Sequence, residues 1–158
     1  MSHSPLQDLE SHPFVSDFSP EDRLRLAALA REVRFAPDQV IFREGDDYSV
    51  FYLLGKGMVA LELDVPGHVL RVQTLYAGDV FDWSALLPHA GKHFQARALD
   101  DVTALAFEGE QLLASFRADP QFGLAFMLRL MGVVSERLRN TRLQLVDMYS
   151  PVAKRAGT

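Results

Sequence analysis

The chain has 158 residues, of which 48% are hydrophobic, which is enough for one domain with its own core. Its 16 basic and 21 acidic residues give a net charge of -5, which disfavours a nucleic-acid partner because the overall field repels phosphate. The lack of cysteine excludes disulfides, thiolate metal sites and thiol catalysis, and the apolar runs are far shorter than a membrane span. We therefore expect a soluble cytoplasmic protein.

The first predicted element is a helix near the N-terminus. Ser19 can cap free backbone amides, Pro20 suits the first helical position, and Glu21 and Asp22 favour the positive end of the helix dipole. We predict this helix over about residues 19–32.

Residues 33–107 are predicted to form roughly eight short strands, because short apolar segments alternate there with Gly and Pro turns. Phe94, Ala96 and Ala98 alternate with polar residues, so that Lys92 shares the inward face of its strand. The pattern predicts a mainly β fold with flanking helices, an eight-stranded antiparallel jelly-roll barrel (a double-stranded β-helix).

Helices are predicted again over about residues 110–149, followed by a tail at 150–158. The last helix is long, and its apolar residues are spaced alternately four and three apart, as in a two-stranded coiled coil. At about 28 residues it would be roughly 42 Å long, more than a barrel of this size can cover. We therefore predict a parallel homodimer, with a seam formed by Met127, Met131, Val134, Leu138, Thr141, Leu145 and Met148.

The order of elements, together with several short motifs, resembles the cyclic-nucleotide-binding domain of the catabolite-activator (Crp/Fnr-type) family of bacterial regulators. The motifs occupy residues 42–46, 51–54, 57–59 and 78–81, and the resemblance covers roughly residues 12–149. It implies a single domain over residues 1–149, with a cyclic nucleotide or another small anion as the candidate ligand.

In that family a phosphate-binding cassette runs from a Gly-Glu pair at the start of a short helix to an Arg-Ser or Arg-Thr pair on the next strand. The helix amides and the arginine hold the phosphate, and the glutamate accepts a hydrogen bond from the ribose. The resemblance places this cassette on Asp82, Trp83, Ser84, Ala85, Lys92, His93 and Phe94.

Several of these residues depart from the family pattern. Asp82 stands where glycine is usual, and a carboxylate about 4 Å from a phosphate is repelled by roughly 4 kcal/mol at an effective dielectric of 20. Trp83 stands at the glutamate position, and its indole is only a donor. Lys92 keeps a positive charge without arginine's bidentate geometry. Phe94 and Trp83 together have the bulk to fill the pocket.

The long helix carries one further candidate contact. Val134 and Ser135 align with a Thr-Ser pair that contacts adenine in some family members. Ser135 is either such a contact on the base side or a helix hydroxyl bonded to its own backbone. Only nine residues follow Tyr149, so we expect no helix-turn-helix domain and no direct DNA binding by the family's route.

The sequence contains no pattern of catalytic or metal-binding residues that we recognise. No serine lies in a Gly-x-Ser-x-Gly elbow. His89 and His93 have the spacing of helical metal ligands, but Pro88 and Gly91 interrupt that helix. We expect neither an enzyme nor a metal site.

Three functions are consistent with these observations. The first is a stand-alone, homodimeric regulatory or sensor module whose diverged pocket binds either a non-standard ligand or none. A ligand there would contact Ser84, Lys92 and the amides after Asp82, and the long helix would signal to an unidentified protein partner. The second is a protein that binds cAMP or cGMP weakly. The third is a dimerisation scaffold without a ligand, whose pocket is filled by Trp83 and Phe94. The departures in the cassette favour the first.

Overall fold

Two four-stranded antiparallel sheets form the centre of the protein. A computed structural model describes residues 4–47, 49–87 and 92–156, with the backbone alone for 150–156. The strands are β1 Arg31–Phe35, β2 Val40–Phe42, β3 Val50–Lys56, β4 Val59–Val65, β5 His68–Leu75, β6 Val80–Phe81, β7 Gln95–Ala98 and β8 Val102–Glu108. The first sheet has the order β1-β8-β3-β6 and the second β2-β7-β4-β5.

The eight predicted strands are confirmed, but the closed barrel is wrong. Within the described ranges, every strand pairing lies inside one sheet or the other, and none joins the two. Alternating burial along a strand predicts that it has an inner face, whereas closure depends on backbone pairing at the sheet edges. The molecule is therefore a two-sheet β-sandwich with flanking helices.

Four α-helices and two 3-10 helices flank the sheets in the part of the chain that the structure describes. They are α1 Pro5–Glu10, α2 Pro20–Leu29, α3 Gly109–Ala118 and α4 Pro120–Ala156, with the 3-10 helices at Pro13–Val15 and Trp83–Leu86. None of the helices in these ranges combines the length and the apolar character needed to cross a membrane.

Two helix boundaries differ from those predicted. Ser19 caps α2 as expected, since its side chain accepts a hydrogen bond from the Asp22 N–H at 3.2 Å. The helix ends at Leu29 rather than near residue 32, because Arg31 already pairs with Ala106 in the sheet. The last helix has 37 residues and continues to Ala156, through most of the predicted tail.

Two hydrophobic cores lie on opposite faces of the first sheet. Alternate residues of β3 explain the division: Phe51 and Leu53 pack against the helices, whereas Tyr52 and Leu54 pack against the second sheet. The helical core is rich in aromatic residues, including Phe14, Phe107, Phe122 and Phe126. This core attaches the first part of α4 to the β-sandwich.

The N-terminal segment is anchored by His12. Its Nδ1 accepts a hydrogen bond from the Phe14 N–H at 3.2 Å, so Nε2 must donate to the Leu54 carbonyl oxygen, 3.0 Å away. Burial lowers the pKa of His12, and the hydrogen bond to Leu54 and the nearby Asp79 act in the opposite direction. The imidazole is therefore a neutral structural link between the N-terminus and β3.

Candidate ligand-binding site

A cavity of about 490 Å³ lies between the second sheet, the 3-10 helix Trp83–Leu86 and α4. Its volume falls within the range of small-molecule sites. Half of its lining side chains are apolar, and these form most of the exposed wall. The lining comprises Leu61, Val72, Gln73, Asp82, Trp83, Ser84, Phe94, Val134, Arg137, Leu138, Thr141 and Gln144.

A buried ion pair joins the two ends of the predicted cassette. The Asp82 carboxylate accepts hydrogen bonds from both the Lys92 ammonium and the Ser84 hydroxyl, the latter at 2.9 Å. The side chains of Lys92 and Asp82 are only 3% and 2% exposed. The ammonium nitrogen also lies 4.7 Å from the ring centroid of Phe42. The positive charge of the cassette is thus already compensated within the protein.

Burial raises the pKa of the Asp82 carboxyl, because desolvation disfavours its charged form. The hydrogen bond and the charge of Lys92 oppose that effect, and so does the Ser84 hydroxyl. The carboxylate therefore depends on Lys92 for its compensation.

The backbone explains why glycine is usual at the position of Asp82. This residue has φ 65° and ψ 44°, in the left-handed region that glycine adopts without strain and that aspartate tolerates better than most residues. The following turn is held closely against the start of α3. A Cβ on Gly109 would lie 2.4 Å from the Ala85 carbonyl oxygen, so glycine is required for this approach.

Trp83 and Arg137 connect the cassette to α4. The guanidinium carbon of Arg137 lies 4.5 Å from the Trp83 ring, and its Nη2 donates to the Val80 carbonyl oxygen at 2.7 Å. Its Nη1 is buried and has no acceptor among the residues that the structure describes. Burial lowers the pKa of Arg137, against the effect of Asp79. Arg137 thus lies where the 3-10 helix, β6 and α4 meet.

The structure brings four of the predicted cassette residues to the cavity wall. They are Asp82, Trp83, Ser84 and Phe94. The expectation that Trp83 and Phe94 fill the pocket is wrong, because both are wall residues of an open cavity and Phe94 is 38% exposed. Their rings therefore shape the cavity without closing it.

The other predicted contacts lie away from the cavity. Lys92 is buried behind Asp82, and Ala85 is buried in the turn. His93 is exposed, and Ser135 is exposed on α4 and outside the cavity lining. A contact of Ser135 with a ligand bound to a second copy stays a prediction.

Sequence reasoning missed Arg137. The signal was its position three residues after Val134, which places both on one face of α4. The sequence does not indicate that an arginine beyond the buried first part of α4 turns toward the sandwich.

The predicted dimer seam is largely exposed on this chain. Val134 is half-buried, whereas the others are exposed, with values of 38% for Met127, 67% for Met131, 49% for Leu138, 48% for Leu145 and 72% for Met148, and with Thr141 also exposed. A surface that binds a partner must be exposed on the single chain, but its exposure does not identify that partner.

No cluster of three or more His, Asp or Glu side chains suitable for a metal ion occurs in residues 4–47, 49–87 and 92–156. His89, one of the two histidines with helical spacing in the sequence, lies outside the described residues.

Comparisons with known proteins agree with this geometry. The family model for the cyclic nucleotide-binding domain matches residues 32–119. A cAMP-dependent protein kinase regulatory subunit of Hypocrea atroviridis is 31% identical over 134 residues, which are 85% of this chain and 25% of that protein. The chain thus spans about a quarter of that relative's length.

Solved structures show the same fold. A cyclic nucleotide-binding protein from Geobacter metallireducens GS-15 aligns with a TM-score of 0.76 at 24% identity, over 87% of this chain and 99% of that one. The Thermus thermophilus catabolite activator protein aligns with a TM-score of 0.70 at 26% identity, over 87% of this chain and 63% of that one. With the family model matching more than half of its residues, this chain belongs to the cyclic nucleotide-binding domain family.

Proposed function

We propose that this chain is a cytoplasmic, non-catalytic regulatory module that works as a homodimer. Its cavity responds to a small molecule other than a cyclic nucleotide, and α4 passes the response to a partner protein. The observation that carries the proposal is the hydrogen bond from the Lys92 ammonium to the Asp82 carboxylate.

This ion pair opposes binding of a cyclic phosphate. A phosphate that contacts Lys92 must displace Asp82, whose side chain is 2% exposed. The displaced carboxylate would then be buried without a cation, and breaking a buried pair in this way costs about 3–5 kcal/mol. Trp83 also stands where the family has the glutamate that accepts a hydrogen bond from the ribose, and an indole cannot accept that bond.

The open cavity supports a ligand in preference to a scaffold without one. Its volume of about 490 Å³ and its mainly apolar wall are typical of small-molecule sites. Five α4 residues line the cavity together with the sandwich, namely Val134, Arg137, Leu138, Thr141 and Gln144. A ligand that contacts both sides biases how α4 packs on the sandwich, and so shifts the population of its arrangements.

The exposed apolar row on α4 supports the homodimer. Apolar residues spaced four and three apart along a helix are self-complementary when two helices run parallel. Met131 and Leu138 are 67% and 49% exposed, which is unusual for large side chains of a monomer unless they contact a partner. A second copy would cover this row.

Weak binding of cAMP or cGMP is the alternative, and the 31% identity to a cAMP-dependent protein kinase regulatory subunit favours it. Titration calorimetry with both nucleotides separates the two functions. We expect no saturable heat up to about 1 mM nucleotide, which corresponds to binding weaker than about 4 kcal/mol. Saturation in the micromolar range by the unmodified protein would overturn the proposal and establish the alternative.

A further inference from the structure

We propose that the cavity binds a monocarboxylate with an apolar body, and that Arg137 is the group that holds its carboxylate. The inference rests on the proposed function, since it names the class of ligand for the same cavity. The charges and the wall of the cavity support this ligand class.

Two residues of the cavity lining carry a formal charge, Asp82 and Arg137. The charge of Asp82 is compensated by Lys92, whose side chain is 3% exposed behind it. Arg137 makes no ion pair with any carboxylate in the part of the chain that the structure describes. The lining therefore has one positive charge without a direct ion pair, and Asp79, the carboxylate that acts on it, is not part of the lining. Such a charge is matched by a ligand with one negative charge rather than two.

The position of Arg137 is fixed before any ligand enters. Nη2 is held by the Val80 carbonyl oxygen at 2.7 Å, and the Trp83 ring lies 4.5 Å from the guanidinium carbon. Nη1 lacks an acceptor among the described residues. A guanidinium has five donors in one plane and pairs best with a flat, two-oxygen acceptor, which is the geometry of a carboxylate.

The rest of the wall defines the body of the ligand. The apolar half of the lining disfavours a strongly hydrated ligand, because polar groups that face it would lose water without gaining partners. Its side chains come from the second sheet, the chain before β7 and α4, and include Leu61, Val72, Phe94, Val134 and Leu138. Four neutral polar residues, Gln73, Ser84, Thr141 and Gln144, can form hydrogen bonds with polar groups elsewhere on the ligand.

The test uses Trp83 as the reporter, because it is the single tryptophan of the chain and lines the cavity. Octanoate and 1-octanol are titrated separately while Trp83 emission and the melting temperature are recorded. The two probes share an alkyl chain and do not absorb at the wavelengths that excite tryptophan. Arg137→Met removes the proposed carboxylate ligand, and Arg142→Met is the matched control, because Arg142 is exposed on the same helix.

We expect octanoate to change Trp83 emission with saturation and to bind about tenfold or more tightly than 1-octanol, the range of one charged hydrogen bond. Arg137→Met abolishes the difference between the two probes, and Arg142→Met preserves it. Equal affinity of octanoate and 1-octanol for the unmodified protein overturns the inference without any variant. If both variants lose the difference in affinity between octanoate and 1-octanol, the inference is also overturned.

These titrations, together with the nucleotide calorimetry, distinguish this inference from the proposed function. If octanoate and cAMP both fail to bind, the monocarboxylate is wrong and the regulatory module without cyclic nucleotide stands. If cAMP saturates in the micromolar range and octanoate does not compete with it, both are wrong.

Discussion

The Lys92 ammonium donates a hydrogen bond to the Asp82 carboxylate, and both side chains are almost completely buried. Each residue alone departs from the family pattern in a way that weakens anion binding. Together they form a neutral unit, since the carboxylate lies against the cation that a phosphate would contact. The pair therefore has a structural role that can be separated from any ligand.

Lys92→Met should destabilise the protein strongly at pH 7. It leaves the Asp82 carboxylate buried without a cation, and we expect the free energy of unfolding to fall by about 3–5 kcal/mol in urea titrations. The loss of stability should shrink as the pH falls. Burial raises the pKa of Asp82 above 3.8 in the folded state, so the folded protein takes up this proton at a higher pH than the unfolded chain does.

Two variants serve as controls for Lys92→Met. Adding Asp82→Asn removes the orphaned charge, keeps a side chain that tolerates positive φ, and should recover at least about half of the lost stability. Arg31→Met breaks an ion pair whose side chains are 56% and 45% exposed, and should cost less than about 1 kcal/mol. A loss for Lys92→Met no larger than for Arg31→Met would contradict the structural role of the pair.

His12 should make the stability depend on pH near neutrality. Its folded pKa lies below the usual 6.5, so the unfolded chain binds more protons between the two values. Stability is fully present above pH 6.5 and is lost as the pH falls below it. We expect the free energy of unfolding in urea to be lower at pH 5.5 than at pH 8. Asp79 and Arg129 are the charged residues that act on His12.

His12→Asn should remove this part of the pH dependence, because the amide oxygen can still cap the Phe14 N–H and does not titrate. His68→Asn, at an exposed position on β5, is the control and should keep the dependence of the unmodified protein. The structural assignment of His12 fails if both variants lose stability between pH 8 and pH 5.5 as the unmodified protein does.

Leu145→Asp should separate the proposed dimer into monomers. Leu145 lies in the predicted seam and is 48% exposed on the single chain. Each copy of the homodimer then buries a carboxylate without a partner, at a cost of about 3 kcal/mol for one of them, so the dimer dissociation constant should rise at least about 100-fold in sedimentation equilibrium. Asn140→Asp adds the same charge at an exposed position outside the seam and should leave the constant unchanged. Equal effects of the two substitutions would place the contact elsewhere.

Local patterns in the sequence predicted much of the fold. The Ser19-Pro20 cap, the alternation in the strands and the apolar spacing of α4 each depend on neighbouring residues, and each has its expected counterpart. Ser4-Pro5 carries the same cap signal before α1, but six residues with one buried side chain, Leu9, form too short a periodic pattern to recognise.

The parts that could not be predicted depend on residues far apart in the chain. From the sequence alone, Asp82 is expected to repel an anion and Lys92 to attract one, because nothing in the sequence shows that the two side chains contact each other. Arg137 is on a helix whose C-terminal half is exposed, and its Trp83 partner belongs to another element. Direction of a long side chain is decided by tertiary packing, which periodicity does not describe.

Restoring the family pattern in the cassette should create cyclic-nucleotide binding. The variant combines Asp82→Gly, Trp83→Glu, Lys92→Arg and Phe94→Ala. Glycine suits the backbone at φ 65° and removes the competing carboxylate, arginine supplies a bidentate phosphate ligand, and the glutamate accepts a ribose hydrogen bond. We expect micromolar affinity for cAMP or cGMP by calorimetry, where the unmodified protein shows none.

The matched control carries the same changes but with Lys92→Met, and it should not bind, because no cation then contacts the phosphate. Binding by this control would mean that the affinity comes from Arg137 and the apolar wall rather than from the cassette. If the fourfold variant folds, as judged by its circular dichroism, and still does not bind, then side chains alone do not account for the difference. In that case the turn from Asp82 to Leu86, held against Gly109, has a backbone path that a cyclic phosphate does not fit.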